Sequence, residues 1–375
     1  MISQERLVNE FMELVRIDSE TKHEEEIAVV LKEKFGSLGL QVVEDDTKAK
    51  TGHGAGNLII TWEAEHGGSG PKLLFTCHMD TVTPGKGIQP QLGEDGYIRS
   101  DGTTILGSDD KAGISALLEV IRVIKDNQIP HGQIQFVITV GEESGLMGAR
   151  SLDPKHLDAE MGYALDSNGE VGAIAVAAPT QARVTMIIKG KSAHAGVNPE
   201  DGISAIQVAA KSIAKMNLGR IDNETTANIG KFQGGGPTNI VCDFVQIDAE
   251  ARSIVQEKVE KQIDQMREAL ETTVREYGAQ CEFRSEIIYP AFSYNENDDV
   301  VQLAKRAIAG LGLSGRTFHS GGGSDANIFN GLGIPTVNLA VGYEEIHTTN
   351  ERIKASDLVK AAEVVLAIIK EAAKG

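Results

Sequence analysis

The chain has 375 residues, of which 41% are hydrophobic and 24% charged, so it is an ordinary globular sequence that exceeds the usual size of one hydrophobic core. Its formal net charge of −18 at pH 7 argues against nucleic acid or an anionic membrane surface as a partner. The three cysteines lie far apart without a CxxC pair, which argues against a disulfide framework or a thiolate zinc site and favours a reducing cytoplasm.

The first residues predict an amphipathic helix rather than a secretion signal. Apolar residues recur at helical spacing over residues 3–17, and the apolar core of a signal peptide is missing. No stretch of the sequence reaches the roughly 18 apolar residues that a membrane span needs. We therefore expect a cytoplasmic protein without a membrane partner.

The next part of the chain alternates between helical and strand patterns. Helices are predicted near 23–38 and from Lys111 to about Lys125. Strands are predicted near 56–62, near 71–77, over 132–140, and in the runs YALD and VGAIAVAA. Strands that alternate with helices predict an α/β sheet covered by helices on both faces.

The pattern changes between about 179 and 288. Strands and helices there follow in the order β-α-β-β-α-β, which is typical of a ferredoxin-like module. The first helix of this segment is expected in PEDGISAIQVAAKSIAKM, opened by Pro199. Helix, strand and helix patterns resume at 298–309, 335–341 and 355–373, with FHSGGGSDAN and EEIHTTNE in loops. We therefore expect one α/β domain of residues 1–178 and 289–375, interrupted by an inserted α+β domain of residues 179–288.

Ionisable residues follow the apolar strands at the points where the strands end. Each one alone is more often a solvated turn, cap or surface residue. In open α/β sheets, however, ligand sites gather beyond the carboxyl ends of the strands, where these side chains would converge. The residues concerned are His78 and Asp80, Asp109 and Asp110, Glu142 and Glu143, Asp166, and His347.

Imidazole nitrogens combined with carboxylate oxygens, without thiolates, suit Zn²⁺, Mn²⁺ or Co²⁺. Two divalent ions carry four positive charges, which three carboxylates and one hydroxide would neutralise. A two-metal site is therefore electrostatically reasonable, and a bridging carboxylate can span the two ions. In such a site Asp80 would accept the second N–H of His78 and fix the tautomer of that ring.

Seven short motifs occur in an order that resembles one known family. They are HMDTV, GSDDKAG, GEESGLMGA, ALDSNG, KGKSAHAG, GGGSDAN and IHTTNE. The chain resembles, over essentially its whole length, the M20 family of dinuclear zinc peptidases and amidohydrolases, and within it the peptidase T (tripeptidase) branch. The resemblance implies a zinc-exopeptidase-like catalytic domain with a mixed sheet flanked by helices, plus the inserted ferredoxin-like domain as a lid and dimerisation domain.

The resemblance also implies roles for individual residues. One Zn²⁺ would be held by His78 and Asp166, and a second by Glu143 and His347. Asp109 would bridge the two ions, and the peptide bond to Asp110 would be cis. The resemblance further assigns Glu142 as the general base, which would act on a metal-bridging hydroxide, and Asp80 as the residue that orients the first histidine.

Three residues of the insert are implied to meet the substrate. The resemblance makes His194 an oxyanion partner, supplied across a homodimer that forms through the lid domain. It places Asn239 and Arg252 near the substrate, where the guanidinium could pair with a terminal carboxylate. The glycine-rich loop 320–327 lacks the GK[ST] of a phosphate-binding loop and is implied to line the substrate pocket.

The expected function is hydrolysis of an amide bond in a small peptide, with release of the N-terminal residue of a tripeptide. A carboxypeptidase and an N-acyl-amino-acid deacylase would use the same machinery on other substrates. A metal-binding protein without catalysis is the alternative from another class, although the general base and all five expected ligands are present.

Overall fold

The computed structural model describes residues 1–374, which divide into two compact units. Unit 1 comprises Met1–Ala177, Tyr294–Ser320 and the chain from Ser324 onward. Unit 2 comprises Ala178–Ser293 together with Gly321–Gly323. Each unit has a hydrophobic core of its own. Unit 1 is therefore assembled from both ends of the chain.

The helices and strands are as follows. Up to the second unit they are α1 (Gln4–Val15), α2 (Glu25–Ser37), β1 (Val42–Glu44), α3 (Thr47–Thr51), β2 (Leu58–Trp62), β3 (Leu73–His78), β4 (Gln91–Leu92), β5 (Tyr97–Arg99), α4 (Ser108–Asn127), β6 (Ile134–Thr139), α5 (Met147–Ser151), β7 (Met161–Ser167) and β8 (Ile174–Ala178). Next come β9 (Thr180–Lys189), α6 (Ala205–Ala214), β10 (Gly219–Arg220), β11 (Thr225–Gly234), β12 (Phe244–Ser253), α7 (Gln256–Tyr277), β13 (Gln280–Tyr289) and β14 (Phe292–Ser293). The chain ends with α8 (Asp299–Gly310), β15 (Thr317–His319), α9 (Asp325–Gly331), β16 (Thr336–Ala340), β17 (Tyr343–Glu344), β18 (Arg352–Lys354) and α10 (Ala355–Ala372). Within residues 1–374, no helix is both long enough and apolar enough to cross a membrane.

The larger sheet of unit 1 is mixed. Its strands lie in the order β1-β2-β6-β3-β7-β16-β8, and β15 pairs with β8. Strand β3 runs parallel to β6 and β7, and β16 runs parallel to β7. The pairs β1–β2, β2–β6 and β16–β8 are antiparallel. The carboxyl ends of β3, β6, β7 and β16 therefore lie along one edge of the sheet.

Both faces of this sheet are covered, as the alternation of strands and helices predicted. Phe75 and Phe136 point to the face that packs against α1, α4 and α10, and their ring centroids are 6.3 Å apart. Their chain neighbours Leu74 and Val137 point to the other face, where they belong to one hydrophobic cluster with Phe329 of α9. Every residue of β3 and β6 is buried, which explains why these strands are mostly apolar instead of alternating between apolar and polar residues. The predicted mixed sheet flanked by helices is confirmed.

Helix α4 is buried over most of its length and begins irregularly. Asp109 and Asp110 have non-helical dihedral angles, and the peptide bond between them is cis. Gly107 precedes them with φ +76°, a left-handed conformation that glycine adopts without steric cost. Regular helical geometry therefore follows only after Asp110, which leaves the Asp109 carboxylate in an irregular turn.

A smaller antiparallel sheet completes unit 1, with strand order β17-β18-β5-β4. Strands β17 and β18 form a hairpin in which Tyr343 pairs with Ile353. The loop of this hairpin contains Glu345 and His347, whose φ angles are +55° and +62°. Positive φ at two residues other than glycine is uncommon and costs free energy, so this loop holds its shape against local preference.

Unit 2 has the predicted order β-α-β-β-α-β with one addition, the two-residue strand β10 between α6 and β11. Its antiparallel sheet has strand order β10-β11-β12-β9-β13, and α6 and α7 pack against it. Buried residues alternate with more exposed ones along β9 and β12, so one face of the sheet supplies the core. Val184 and Ile247 of the sheet belong to this core together with Val208 of α6 and Met266 of α7.

Two expected local structures were wrong. The helix expected to open at Pro199 begins at Ala205, because Ser204 caps it by accepting a hydrogen bond from the Gln207 N–H, while Pro199 lies in a separate 3-10 turn. The segment FHSGGGSDAN is only partly a loop. Its first residues belong to β15, and its last residues start α9, which Ser324 caps.

Candidate metal centre

Six ionisable side chains gather at the carboxyl edge of the larger sheet in unit 1. Parallel strands bring most of them together, since β3, β6 and β7 end side by side. The irregular start of α4 and the β17–β18 loop supply the others. The six residues are His78, Asp109, Glu142, Glu143, Asp166 and His347.

His78, Asp109 and Asp166 form a first group, in which one donor atom from each residue lies within 4.8 Å of the others. His78 Nε2 is 2.9 Å from Asp109 Oδ1 and 3.9 Å from Asp166 Oδ1. The Tyr343 hydroxyl donates a hydrogen bond of 3.0 Å to Asp166 Oδ1, which restrains that carboxylate. His78 is only 1% exposed and Asp109 is buried, whereas Asp166 is half-buried.

Asp109, Glu143 and His347 form a second group of the same kind. His347 Nε2 is 3.2 Å from Asp109 Oδ2 and 3.0 Å from Glu143 Oε1. The two oxygens of Asp109 therefore face two different histidines, one in each group. Glu142 also comes within 4.8 Å of His78 and Glu143.

The Asp80 carboxylate has a different set of contacts from the one expected. His78 Nδ1 lies 3.0 Å from the Asp80 main-chain oxygen and 3.5 Å from the carboxylate, so the main-chain oxygen is the closer acceptor. The carboxylate instead accepts the backbone N–H groups of Glu142, at 3.0 Å, and Glu143, at 3.2 Å. Asp80 is fully buried. Through these hydrogen bonds it orients both the histidine and the turn that carries the two glutamates.

The turn after β6 has further support beneath it. His53 Nε2 lies 2.9 Å from the Ser144 hydroxyl, which donates to the Gly141 carbonyl. The fully buried Asn57 accepts the Val140 N–H through its side-chain oxygen. These contacts leave the turn little freedom, so Glu142 and Glu143 are held in place by groups outside the centre itself.

Burial and mutual repulsion govern the titration of the acidic groups. Burial, followed by the neighbouring Asp109 carboxylate, raises the pKa of Asp166 well above its ordinary value. Burial and the Asp166 carboxylate do the same to the pKa of Glu142, and burial raises the pKa of Glu143. These carboxylates lie close together in a region of low dielectric constant. A positive charge among them would reduce the repulsion between them.

The histidines already supply part of that charge. Hydrogen bonds with Asp109 and Glu143 raise the pKa of His347 to about 10. Burial opposes the charged form of His78, but its contacts with Asp109 and Asp80 outweigh burial and hold its pKa well above the ordinary value. Burial likewise opposes ionisation of Asp109, but hydrogen bonds from His347 and His78 keep the pKa of that carboxyl below its ordinary value.

The donor set fits a pair of divalent metal ions. Each of the first two groups offers one imidazole nitrogen and two carboxylate oxygens, counting Asp109 in both. Nitrogen and oxygen donors without thiolate suit Zn²⁺, Mn²⁺ and Co²⁺. The main-chain oxygen beside His78 Nδ1 fixes the tautomer that leaves Nε2 free for a metal.

The three expected substrate residues of the insert belong to unit 2. His194 lies in the exposed loop after β9, where its Nδ1 accepts the N–H groups of Gly196 and Val197, both at 3.1 Å. With Nδ1 accepting, the ring proton is on Nε2, which can donate. Asn239 is exposed and close to His194 along the fold, because its carbonyl accepts the Ala195 N–H.

Arg252 already has a carboxylate partner in unit 2. Its guanidinium binds Glu250, two residues earlier on β12, through bonds of 2.9 and 3.1 Å. Gln181 Nε2 donates to the same carboxylate at 2.6 Å. A peptide carboxylate would therefore have to share or displace Glu250 to bind Arg252.

The structure adds two residues that the sequence did not single out. Tyr343 contacts Asp166, and the buried Glu351 contacts the turn that carries Asp109. Both are near the expected ligand His347, and Glu351 closes the quoted segment IHTTNE. A glutamate in a loop is normally solvated, so only its position after a candidate metal ligand could have marked it.

The sequence and fold of the chain are also similar to those of known proteins. A family model described as peptidase family M20/M25/M40 matches residues 74–371. A crystal structure of aminopeptidase PepT from Bacillus cereus ATCC 10987 is 61% identical, with a TM-score of 0.92 over 99% of each chain. A crystal structure of a tripeptidase from Staphylococcus aureus subsp. aureus mu50 is 53% identical, with a TM-score of 0.97 over 100% of each chain. The uncharacterized protein YqjE of Bacillus subtilis strain 168 is 58% identical over 374 residues and 100% of each chain.

The family model covers well over half of the chain, and the relatives match it from end to end. The resemblance inferred from the seven motifs is thereby confirmed. The chain belongs to the M20 family of peptidases.

Proposed function

We propose that this peptidase uses two divalent metal ions to release the N-terminal residue of short peptides, tripeptides above all. The observation that carries the proposal is the position of Asp109, whose two oxygens face His78 and His347 in separate groups of donors. One carboxylate shared by two such groups is the arrangement that a bridged pair of metal ions requires. The relatives named aminopeptidase and tripeptidase support the choice of substrate.

The proposed ligands follow from the two groups. His78 and Asp166 would hold one ion, Glu143 and His347 would hold the other, and Asp109 would bridge them. We propose Zn²⁺ as the metal, with Mn²⁺ or Co²⁺ as substitutes. Two such ions would polarise the scissile carbonyl and lower the pKa of a bound water molecule to near neutrality.

Glu142 would serve as the general base. It adjoins Glu143 on the turn after β6, yet it is absent from both groups of donors that share Asp109. From this position its carboxylate would take a proton from the attacking water and deliver it to the leaving amine. Asp80 would keep both glutamates oriented through their backbone N–H groups.

His194 would stabilise the oxyanion of the tetrahedral intermediate, supplied by the second subunit of a homodimer that forms through unit 2. The Nε2–H of its ring is free to donate because Nδ1 accepts two backbone N–H groups. Asn239, close to His194 in the same unit, and Arg252 would contact the substrate.

The substrate class is tested by comparing turnover of matched compounds. We expect tripeptides with a free N-terminus to be cleaved faster than dipeptides, and N-acetylated tripeptides and N-acetyl amino acids to be poor substrates. Chelation should abolish turnover and Zn²⁺ should restore it. Preferred cleavage of N-acetyl amino acids would favour a deacylase, release of the C-terminal residue a carboxypeptidase, and absence of any turnover a binding protein.

Glu142→Gln should retain both metal ions and lose turnover by on the order of 10²–10⁴, the usual contribution of general acid–base catalysis. The amide keeps the size of the side chain but cannot accept the proton. Metal content and kcat are measured on the same sample. Glu160→Gln, an exposed glutamate just before β7, is the matched control and should leave kcat unchanged. Loss of metal from the Glu142 variant would show that this residue is a ligand.

Asp109→Ala should weaken binding of both metal ions together, because each group of donors loses one of its three members. His347→Ala should weaken mainly one ion, since the group containing His78 keeps all its donors. Titration of the metal-free variants with Zn²⁺ gives both affinities. One fully occupied, tight site in Asp109→Ala would rule out the bridging role.

His194→Ala should reduce turnover by on the order of 10²–10³, the usual effect of removing one oxyanion donor, with metal content and fold unchanged. His23→Ala, which removes an exposed loop histidine of unit 1, is the control. If the histidine acts across a dimer, mixing inactive His194→Ala with inactive Glu142→Gln under subunit exchange should restore activity. If subunits are shown to exchange and no activity returns, His194 does not act across the dimer.

A further inference from the structure

The carboxylate of Glu351 accepts five hydrogen bonds from the turn that carries Asp109. Its carboxylate is 1% exposed and lies at the N-terminus of α4. Oε2 accepts two backbone N–H groups, and Oε1 accepts two further N–H groups and a hydroxyl. The donors are Leu106 N at 2.7 Å, Gly107 N at 2.9 Å, Ser108 N at 2.7 Å, Ser108 Oγ at 2.6 Å and Asp109 N at 3.2 Å.

The same residue closes the hairpin loop that carries His347. The Glu351 N–H donates to the Thr348 carbonyl, and the Thr348 hydroxyl donates to the Glu345 carbonyl. The Asn350 N–H in turn donates to the Thr348 hydroxyl. These bonds hold together the loop whose positive φ angles are unfavourable on their own.

We infer that Glu351 is a positioning residue that sets Asp109 and His347 at their working separation. Two segments that are far apart in the chain each supply one of these side chains, and His347 Nε2 is 3.2 Å from Asp109 Oδ2. Glu351 is the residue whose carboxylate is bonded to one segment while its backbone is bonded within the other. The inference rests on the proposed function, because Asp109 and His347 matter together only if they bind metal.

The chemistry of the contact explains why a carboxylate is needed. The first N–H groups of a helix have no partners within it, and an anion satisfies them with charge-assisted hydrogen bonds. A carboxamide of the same shape has only one accepting oxygen. Glu351→Gln would therefore point its NH₂ group at two or more N–H donors, and the turn would have to move away from it.

The test is a Co²⁺ titration of metal-free protein, followed by absorption spectroscopy, with thermal unfolding of the same samples. Glu351→Gln should bind Co²⁺ about 10–100-fold more weakly than wild type, the usual effect of losing a group that orients metal ligands. Glu119→Gln is the matched control. Its carboxylate is also buried on unit 1 and accepts the Ser3 N–H and the Arg6 guanidinium, but it contacts none of the six residues of the centre. It should lower stability without changing Co²⁺ affinity.

Equal Co²⁺ affinity in the two variants would overturn the inference, whatever their stability. If Glu351→Gln does not fold, Ser108→Ala replaces it, because this change removes only the hydroxyl bond to Glu351. Ser108→Ala should weaken Co²⁺ binding several-fold, and Ser115→Ala, which removes a buried hydroxyl bonded to the Ala112 carbonyl on the same helix, should not. Identical affinity of the two serine variants would also overturn it.

A different result would contradict the proposed two-metal function. Wild-type protein that binds one Co²⁺ per chain would contradict the two-metal proposal. The role of Glu351 is then still decided by the affinity for that single ion, because Asp109 contributes to both groups of donors.

Discussion

The crowding of buried and half-buried carboxylates at the edge of the larger sheet is the electrostatic constraint on which the candidate centre of unit 1 depends. Asp109, Glu142, Glu143 and Asp166 lie within a few ångströms of two imidazoles, in surroundings that penalise every unpaired negative charge. The nearby buried Lys111 does not relieve it, since its ammonium donates to the Ile17 carbonyl and the Ser19 hydroxyl. Bound divalent cations would turn this repulsion between carboxylates into attraction.

The acidic residues around this centre make two kinds of contact. The carboxylates of the centre face one another and the histidines. Asp80 and Glu351 instead accept backbone N–H groups from the turns that carry those carboxylates. A hydrogen bond to the main chain restrains the turn directly, whereas a contact between two side chains can be lost through a change of rotamer. The geometry of the centre is therefore determined by residues that need not touch a metal ion.

Much of the architecture could be predicted from the sequence because its signals are local. The buried strands β3 and β6 are mostly apolar, and the ionisable residues at or just after their ends mark the edge where the candidate site forms. The start of α6 was misplaced because Pro199 and Ser204 both suit a helix N-terminus, and only the fold decides between them.

The contacts between segments that are distant in the chain could not be predicted from the sequence. That Asp80 binds the turn after β6, or that Glu351 binds the start of α4, depends on how segments far apart in the chain pack together. Residue type alone predicts a solvated side chain for such a glutamate. The motifs predicted which residues form the centre, whereas the structure shows the contacts that hold these residues in place.

The assembly of unit 1 from both ends of the chain has a consequence for biosynthesis. A ribosome that has just completed β7 has made His78, Asp109, Glu142, Glu143 and Asp166, but neither His347 nor the strand β16 that pairs with β7. All of unit 2 must be translated before they appear, a delay on the order of 10 s or longer at ordinary elongation rates. Throughout that interval the nascent chain carries the acidic half of the centre without its second histidine. The complete centre is thus a product of finished translation, and no truncated chain that stops short of the β17–β18 hairpin can contain it.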